Sequence, residues 1–216
     1  MYRPFRDFES RGRLISVIGS GGKTTLLRYL SRRLTGTVIL TTSTRIYPFP
    51  EIPLVTVDSE RVLRTTLAEN RVVCLGTPLE NGKLTAPALG FEALKDMADH
   101  VLVEADGAAG HPLKAHRPWE PVIPACSDLT VCVVGASGLD QPASRVCHCP
   151  ELFCELAGIA PYEPVGEAHI AAILNRENLS DWVLVNQTDA LADPARAWRL
   201  CELIAVNASP CAIAPR

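Results

Sequence analysis

A glycine-rich run between an apolar segment and an amphipathic segment constrains the fold of this chain most strongly. The apolar segment, Arg13–Ile18, predicts a buried strand. Residues 24–34 predict a helix, because leucines recur there at helical spacing. The β-branched segment Thr37–Leu40 predicts a second strand. A strand, loop, helix and strand within about 30 residues form the βαβ unit of a parallel sheet.

The rest of the chain continues the alternation of strands and helices. Further strands are predicted at 54–57, 71–75, 100–103, 129–134, 182–185 and 212–214. Further helices are predicted at 59–70, 91–98, 151–157, 167–174 and from Asp193-Pro194 to about Val206. Asn81-Gly82 between extended segments predicts a β-hairpin. We therefore expect an α/β, P-loop NTPase-like fold, with a mostly parallel, doubly wound sheet, helices on both faces and a β-hairpin insertion.

Composition favours an ordinary globular chain. Its 216 residues, 47% hydrophobic and 21% charged, suffice for a single domain over 1–216 that becomes more helical from about 150. The net charge of −3 provides no broad basic field, so neither nucleic acid nor a membrane is expected as a partner. The charged segment 1–13 lacks the apolar core of a signal peptide, and no apolar run approaches the about 18 residues of a membrane span. We expect a cytoplasmic protein.

The glycine-rich run predicts a phosphate-binding loop. Consecutive glycines allow backbone N–H groups to turn around an anion, and the following helix directs its positive end at the phosphates. Lys23 would contact the β and γ phosphates, and Thr24 would place a hydroxyl on Mg²⁺. Val17 replaces the distal glycine of the common motif, so the loop is a shorter variant. The predicted site for ATP or GTP with Mg²⁺ consists of Gly19, Ser20, Gly21, Gly22, Lys23, Thr24 and Thr25.

Two carboxylates follow the apolar strand predicted at 100–103. Glu104 and Asp106 have the same parity on an extended strand and would lie at its C-terminal edge, where ligands bind in open α/β sheets. One would hold Mg²⁺ and the other would orient water or a second substrate, so both are catalytic candidates beside Lys23. Thr42, in the hydroxyl cluster 41–44, is a further candidate metal ligand, with a solvated loop as the alternative.

Two other segments carry candidate binding residues. Asn186 and Asp189 form an N-x-x-D pattern after a predicted strand, and a carboxylate in this position can accept hydrogen bonds from guanine. Gln187 stands where a base-stacking lysine would be found in G-domain GTPases. Lys114, with His116 and Arg117, forms a basic cluster that would either clamp an anionic second substrate or lie in a solvated loop.

Several motifs together resemble one family. They are IGSGGKTTLL, TTSTRIYPFP, VLVEADGAAGHPLKAH, the segment 146–159 and LVNQTDA. In this order they are similar to the selenium-dependent hydroxylase accessory protein (YqeC) family, from Leu14 to about Leu191. The resemblance implies a P-loop NTPase with a role in the maturation of selenium-dependent molybdenum hydroxylases. It implies a molybdenum hydroxylase or its maturation factors as partners.

The sequence departs from the family pattern at 146–151. The family has V-H-R-P-E there, and this chain has V-C-H-C-P-E, which removes a basic residue beside His148. With Cys154 nearby, Cys147 and Cys149 would hold zinc or a selenium species, or they are incidental thiols. Three functions remain open: an NTPase, a small-molecule kinase or Mur-ligase-like enzyme, and a nucleotide-gated metal or selenium chaperone.

Overall fold

The computed structural model describes residues 13–213, which divide into two compact units. The first unit consists of residues 13–17, 26–106 and 122–129, and the second of residues 18–25, 107–121 and 130–213. The predicted single domain over 1–216 stays a prediction. Residues 1–12 and Ala214, which belong to predicted segments, lie outside the described residues.

The first unit contains the N-terminal parallel strands. Its strands are β1 (Leu14–Gly19, which ends in the second unit), β2 (Val38–Thr42), β3 (Arg45–Ile46), β4 (Leu54–Val55), β5 (Val72–Leu75), β6 (Thr77–Pro78), β7 (Leu84–Thr85) and β8 (His100–Glu104). Strands β1, β8, β2, β5 and β4 lie side by side in that order and run parallel. Every residue of β2 and β8 is buried, as expected for parallel strands covered on both faces.

Helices connect these strands as the sequence predicts. They are α1 (Lys23–Arg33), α2 (Glu60–Glu69) and α3 (Phe91–Lys95). Ser59 caps α2, because its hydroxyl accepts the N–H of Val62 at 3.4 Å. Helix α3 ends earlier than the predicted 91–98. After Lys95 the N–H groups of Asp96 and Met97 donate to the carbonyls three residues earlier, at 3.2 and 3.1 Å, so the helix ends in a turn.

The predicted hairpin is confirmed. Strands β6 and β7 pair antiparallel, and β3 pairs with the other edge of β7. The turn contains Gly82 at φ +76°, and the Asn81 side chain accepts the N–H of Lys83 at 3.1 Å. Asn81-Gly82 therefore makes the turn that its residue types predict, because glycine adopts the positive φ and the asparagine side chain bonds to the backbone.

The second unit contains the remaining strands and helices. They are β9 (Leu113–Lys114), β10 (Leu129–Gly135), α4 (Ala143–Val146), β11 (Cys147–His148), α5 (Pro150–Ala157), α6 (Glu167–Glu177), β12 (Trp182–Asn186), α7 (Ala195–Leu203) and β13 (Asn207–Pro210). Strands β10, β12 and β13 are parallel neighbours, and β9 pairs with β11. The observed architecture is an α/β fold with mostly parallel strands. Within residues 13–213, no helix is long and apolar enough to cross a membrane.

The last strand does not lie where the sequence predicts it. Residues 212–213 are irregular, and β13 forms instead from Asn207-Ala208-Ser209-Pro210. Residues of these types have weak strand preference, so pairing with β12 determines the conformation. Proline is tolerated at this position because an edge strand needs no further N–H donor on its open side.

An ion cluster fastens α6 to α7 within the second unit. Arg196 donates to both carboxylate oxygens of Glu167, at 2.7 and 3.0 Å, and also to Asp140. The Arg196 and Glu167 side chains are each 19% exposed. The hydrogen bond from Arg196 lowers the pKa of the Glu167 carboxyl below its usual value. A lowered carboxyl pKa stabilises the fold at neutral pH, and this stabilisation is lost as the pH falls through the folded-state pKa.

Replacing Arg196 should therefore destabilise the chain. Arg196→Met is expected to lower the free energy of unfolding by about 1.5–3 kcal/mol at pH 7, because it removes charged hydrogen bonds from a largely buried carboxylate. The difference from the parent should shrink below about pH 4.5. Arg199→Met on the same helix removes an exposed pair with Asp193 and should cost about 0.5 kcal/mol or less. Urea unfolding at several pH values tests both; equal losses for the two variants would contradict the assignment.

Candidate functional site

The glycine-rich loop joins β1 to α1 in a conformation that needs glycine. Gly21 has φ +75° and Gly22 has φ +128°, in a region that side chains disfavour. A Cβ on Gly21 would lie 2.3 Å from the backbone nitrogen of Gly135, and one on Gly22 would lie 2.4 Å from Nδ2 of Asn186. Both glycines are therefore required by close packing as well as by their backbone angles.

The backbone of the loop is bound to other segments of the second unit. The N–H of Ser20 donates to the Val133 carbonyl at 2.7 Å, and the N–H of Gly21 donates to the His111 carbonyl at 3.2 Å. The Ser20 hydroxyl donates to the Pro112 carbonyl at 2.8 Å. Two of the backbone donors expected to surround a phosphate are thus occupied by the chain's own carbonyls. Pattern reasoning did not indicate these long-range bonds.

Lys23 lies at the start of α1 and folds back over the loop. Its ammonium donates to the Gly19 carbonyl at 2.6 Å, and the residue is only 5% exposed. Thr24 and Thr25 follow in the first helical turn and are half-buried. The positive end of the α1 dipole therefore coincides with the lysine charge, which favours an anion at this position.

Asn186 holds the loop from the opposite side. Its Nδ2 donates to the Gly21 carbonyl at 2.9 Å, and its Oδ1 accepts the N–H of Ile213 at 2.9 Å. Asp189 lies in an exposed 3₁₀ turn, Thr188–Ala190. Reading a base through Asn186 would require both bonds to be exchanged, so base recognition by Asn186 and Asp189 stays a prediction.

The predicted acidic residues lie at the end of β8 in the first unit. Glu104 is 8% exposed and Asp106 is fully buried. Glu104 is in register with Thr42 on β2, whose hydroxyl donates to the Glu104 carbonyl at 2.8 Å and accepts the N–H of Thr44 at 2.9 Å. The structure thus brings Thr42 and Glu104 together. Their role as metal ligands stays a prediction.

The structure places each residue of the predicted basic cluster beside a different carboxylate. Lys114 pairs with Glu120 at 3.0 Å, His116 with Glu177 at 2.8 Å, and Arg117 with Glu151 at 2.7 Å. Glu120, Glu177 and Glu151 lie on different parts of the second unit. Whether the three residues of the cluster clamp an anionic second substrate stays a prediction.

The cysteines between 147 and 154 differ in their surroundings. Cys147 and Cys154 are buried, and burial raises the pKa of both thiols, to about 12 for Cys147. Cys149 is half-buried and accepts a hydrogen bond from Nε of Arg117 at 3.3 Å. In residues 13–213, no group of three or more His, Cys, Asp or Glu residues is arranged to hold a metal ion.

The strands and the loop described above make this chain an α/β protein with parallel strands and a glycine-rich loop between a strand and a helix. The YqeC protein family model matches residues 15–151, so the chain belongs to the YqeC family. The match includes the loop, Glu104, Asp106 and His148, and it ends before Asn186.

A relative from Escherichia coli (strain K12), described as "Uncharacterized protein YqeC", is 32% identical over 163 residues. The alignment covers 71% of this chain and 64% of the relative, so the chain spans just under two thirds of that protein's length. No solved structure gives a significant match.

The contacts of Asn186 predict that it supports the loop structurally. Asn186→Ala removes a buried donor from the Gly21 carbonyl and an acceptor from the Ile213 N–H, and should lower the free energy of unfolding by about 1–3 kcal/mol. Asp189→Ala, on the exposed turn, should change it by no more than about 0.5 kcal/mol. Chemical denaturation of the two variants tests this; an unchanged stability of Asn186→Ala would exclude the supporting role.

Proposed function

We propose that this chain binds a nucleoside triphosphate with Mg²⁺ and hydrolyses it. The observation that carries the proposal is the loop Gly19–Thr25, which lies between a buried parallel strand and a helix and presents Lys23 at the helix start. The loop lies within the residues that match the YqeC family model. An anion held there would contact both the lysine charge and the helix dipole.

The hydrogen bonds of the loop support an assignment of the proposed phosphate contacts. Ser20 and Gly21 N–H groups are already bound to carbonyls, so the contacts are assigned to Lys23 and to the first turn of α1, with the Thr24 hydroxyl on Mg²⁺. Phosphate would replace the Gly19 carbonyl as the partner of the Lys23 ammonium. A charged acceptor makes the stronger hydrogen bond, which favours this exchange.

Glu104 and Asp106 are proposed as the residues that hold Mg²⁺ and orient the attacking water. Their support is chemical: both are carboxylates buried at the end of a parallel strand, and carboxylate oxygens are the ligands that Mg²⁺ prefers. The biological role expected from the family resemblance, maturation of selenium-dependent molybdenum hydroxylases, is part of the same proposal.

Thermal shift measurements with ATP, GTP and CTP, each with Mg²⁺, test nucleotide binding. A ligand at 100 times its Kd stabilises the native state by about 2.7 kcal/mol. For a chain of this size that should raise Tm by several degrees, roughly 5–10 °C. The base with the largest shift identifies the preferred nucleotide. Identical melting curves with and without all three nucleotides at millimolar concentration would refute the proposal.

Lys23→Ala should remove the thermal shift. The side chain provides the only lysine charge assigned to the phosphates, so binding should weaken by at least about 100-fold, or about 2.7 kcal/mol. Lys83→Ala is the matched control, because Lys83 lies over the Tyr47 ring, 4.9 Å from its centroid, in the hairpin of the first unit. It should retain the full shift. Equal binding by the Lys23→Ala variant would reject the loop as the site.

Charge-removing variants test the carboxylates. Glu104→Gln and Asp106→Asn should retain nucleotide binding within about tenfold but lose about 100-fold or more in phosphate release, as expected when a base or metal ligand is removed. Glu60→Gln, on the surface of α2, is the control and should be unaffected. Phosphate release without an added acceptor favours an NTPase, whereas release or transfer only with an acceptor favours the kinase or ligase alternative.

A further inference from the structure

A hydrogen bond between two side chains joins the turns that follow β10 and β12 in the second unit. These strands pair parallel, and a 3₁₀ turn lies after each of them, Ala136–Gly138 and Thr188–Ala190. The Ser137 hydroxyl donates to Oε1 of Gln187 at 2.6 Å. Both residues therefore lie beyond the carboxyl ends of neighbouring parallel strands, where open α/β sheets bind their ligands.

The Gln187 side chain lies next to the glycine-rich loop, with Gly135 between them. A Cβ on Gly135 would lie 2.3 Å from Oε1 of Gln187, and a Cβ on Gly21 would lie 2.4 Å from Cα of Gly135. The residue before Gln187 is Asn186, whose Nδ2 would lie 2.4 Å from a Cβ on Gly22. The Gln187 amide is therefore separated from the loop by a single glycine.

The backbone of Gln187 has a conformation that glycine adopts more easily. Its φ is +61° and its ψ is +32°, in the left-handed region that residues with a Cβ disfavour. The fold thus places a long amide side chain where the backbone would suit glycine. Residues in such sparsely populated regions cluster at functional sites, so the conformation favours a role for the side chain itself.

Only the oxygen of the Gln187 amide is used within the described chain. Oε1 accepts from Ser137, whereas Nε2, which carries two N–H donors, has no hydrogen-bond partner among residues 13–213. Gln187 is half-buried, so its amide is held on one side and open to a ligand on the other. The side chain therefore presents an oriented donor beside the loop, and a donor selects an acceptor.

The purine bases differ in what they offer to such a donor. Guanine presents two neighbouring acceptors, O6 and N7, whereas adenine presents N7 beside the N6 amino donor. A glutamine that pairs with adenine uses its amide oxygen to accept from N6 and its amide nitrogen to donate to N7. Here the amide oxygen is bound to Ser137, so the nitrogen donor remains and guanine offers the better match.

We propose that Gln187, oriented by Ser137, determines the base preference of this chain by donating a hydrogen bond to the O6 oxygen of a guanine-type base. This inference rests on the proposed function, because it names the base of the nucleotide whose phosphates contact Lys23. Gln187 is the specificity-determining residue, and Ser137 is a positioning residue. The role is different from the base stacking of a lysine, since the amide reads one atom of the base edge.

The affinities of the parent chain for three nucleotides test the choice of base. The probes are the non-hydrolysable β,γ-imido analogues of GTP, ITP and ATP, each with Mg²⁺, in calorimetry. The hypoxanthine base of ITP has the O6 oxygen of guanine and lacks its amino group, so it isolates the contribution of position 6. The GTP and ITP analogues should bind about tenfold or more tighter than the ATP analogue, because adenine places an amino group against the amide donor.

Four variants test the residues. Gln187→Glu keeps the side-chain shape and replaces the donor by an acceptor, so the ratio of GTP to ATP affinity should fall about tenfold or more. Gln187→Gly suits the backbone angle and removes the amide, which should bring the ratio to about 1. Ser137→Ala frees the amide oxygen for adenine N6, so the ratio should fall through tighter binding of the ATP analogue. Gln141→Glu, a half-buried glutamine elsewhere in the second unit, is the matched control and should keep the ratio of the parent.

The ratio separates base reading from other effects. If the Gln187 variants weaken all three analogues equally, the side chain contacts sugar or phosphate and the proposal is overturned. Equal binding of the three analogues by the parent, or an ITP analogue that binds like the ATP analogue, would also overturn it, and the proposed function would stand. If no analogue binds at millimolar concentration, the proposed function fails and this inference fails with it.

Discussion

The attachment of the glycine-rich loop to neighbouring backbone carbonyls is the interaction on which the candidate site depends. Ser20 and Gly21 donate to Val133 and His111, and Asn186 donates to the Gly21 carbonyl. These bonds fix the loop before any ligand binds. A loop held in this way loses little conformational entropy on binding, and preorganisation of this kind favours affinity.

The same bonds change which groups of the loop are available to a ligand. In the sequence the run of glycines predicts a cradle of backbone N–H groups, yet two of these groups are used within the chain. In the proposed function, the contacts to an anion therefore fall to Lys23 and the start of α1. The segment 111–114 gains importance, because the carbonyls of His111 and Pro112 hold the loop.

Local patterns predicted those parts of the structure that local residues determine. Ser59 caps α2, Asn81-Gly82 makes the hairpin turn, and the apolar runs before Gly19 and Glu104 form buried parallel strands. Contacts between distant positions could not be read in the same way. Asn186 and Gly21 are 165 residues apart, and the partners of Lys114, His116 and Arg117 depend on how separate segments pack. The residue types indicated which side chains were candidates for the site, but only the fold shows which of them contact one another.

The Asn186 amide links the glycine-rich loop to the segment that follows β13. One side chain accepts from the backbone of Ile213 and donates to the backbone of Gly21, so the last described segment and the glycine-rich loop are bonded to the same amide. Because Asn186 is buried, losing one of these bonds leaves a polar group without a partner, so a change at Ile213 would also weaken the support of Gly21. Residues 211–213, after β13, are therefore part of the packing that supports the loop.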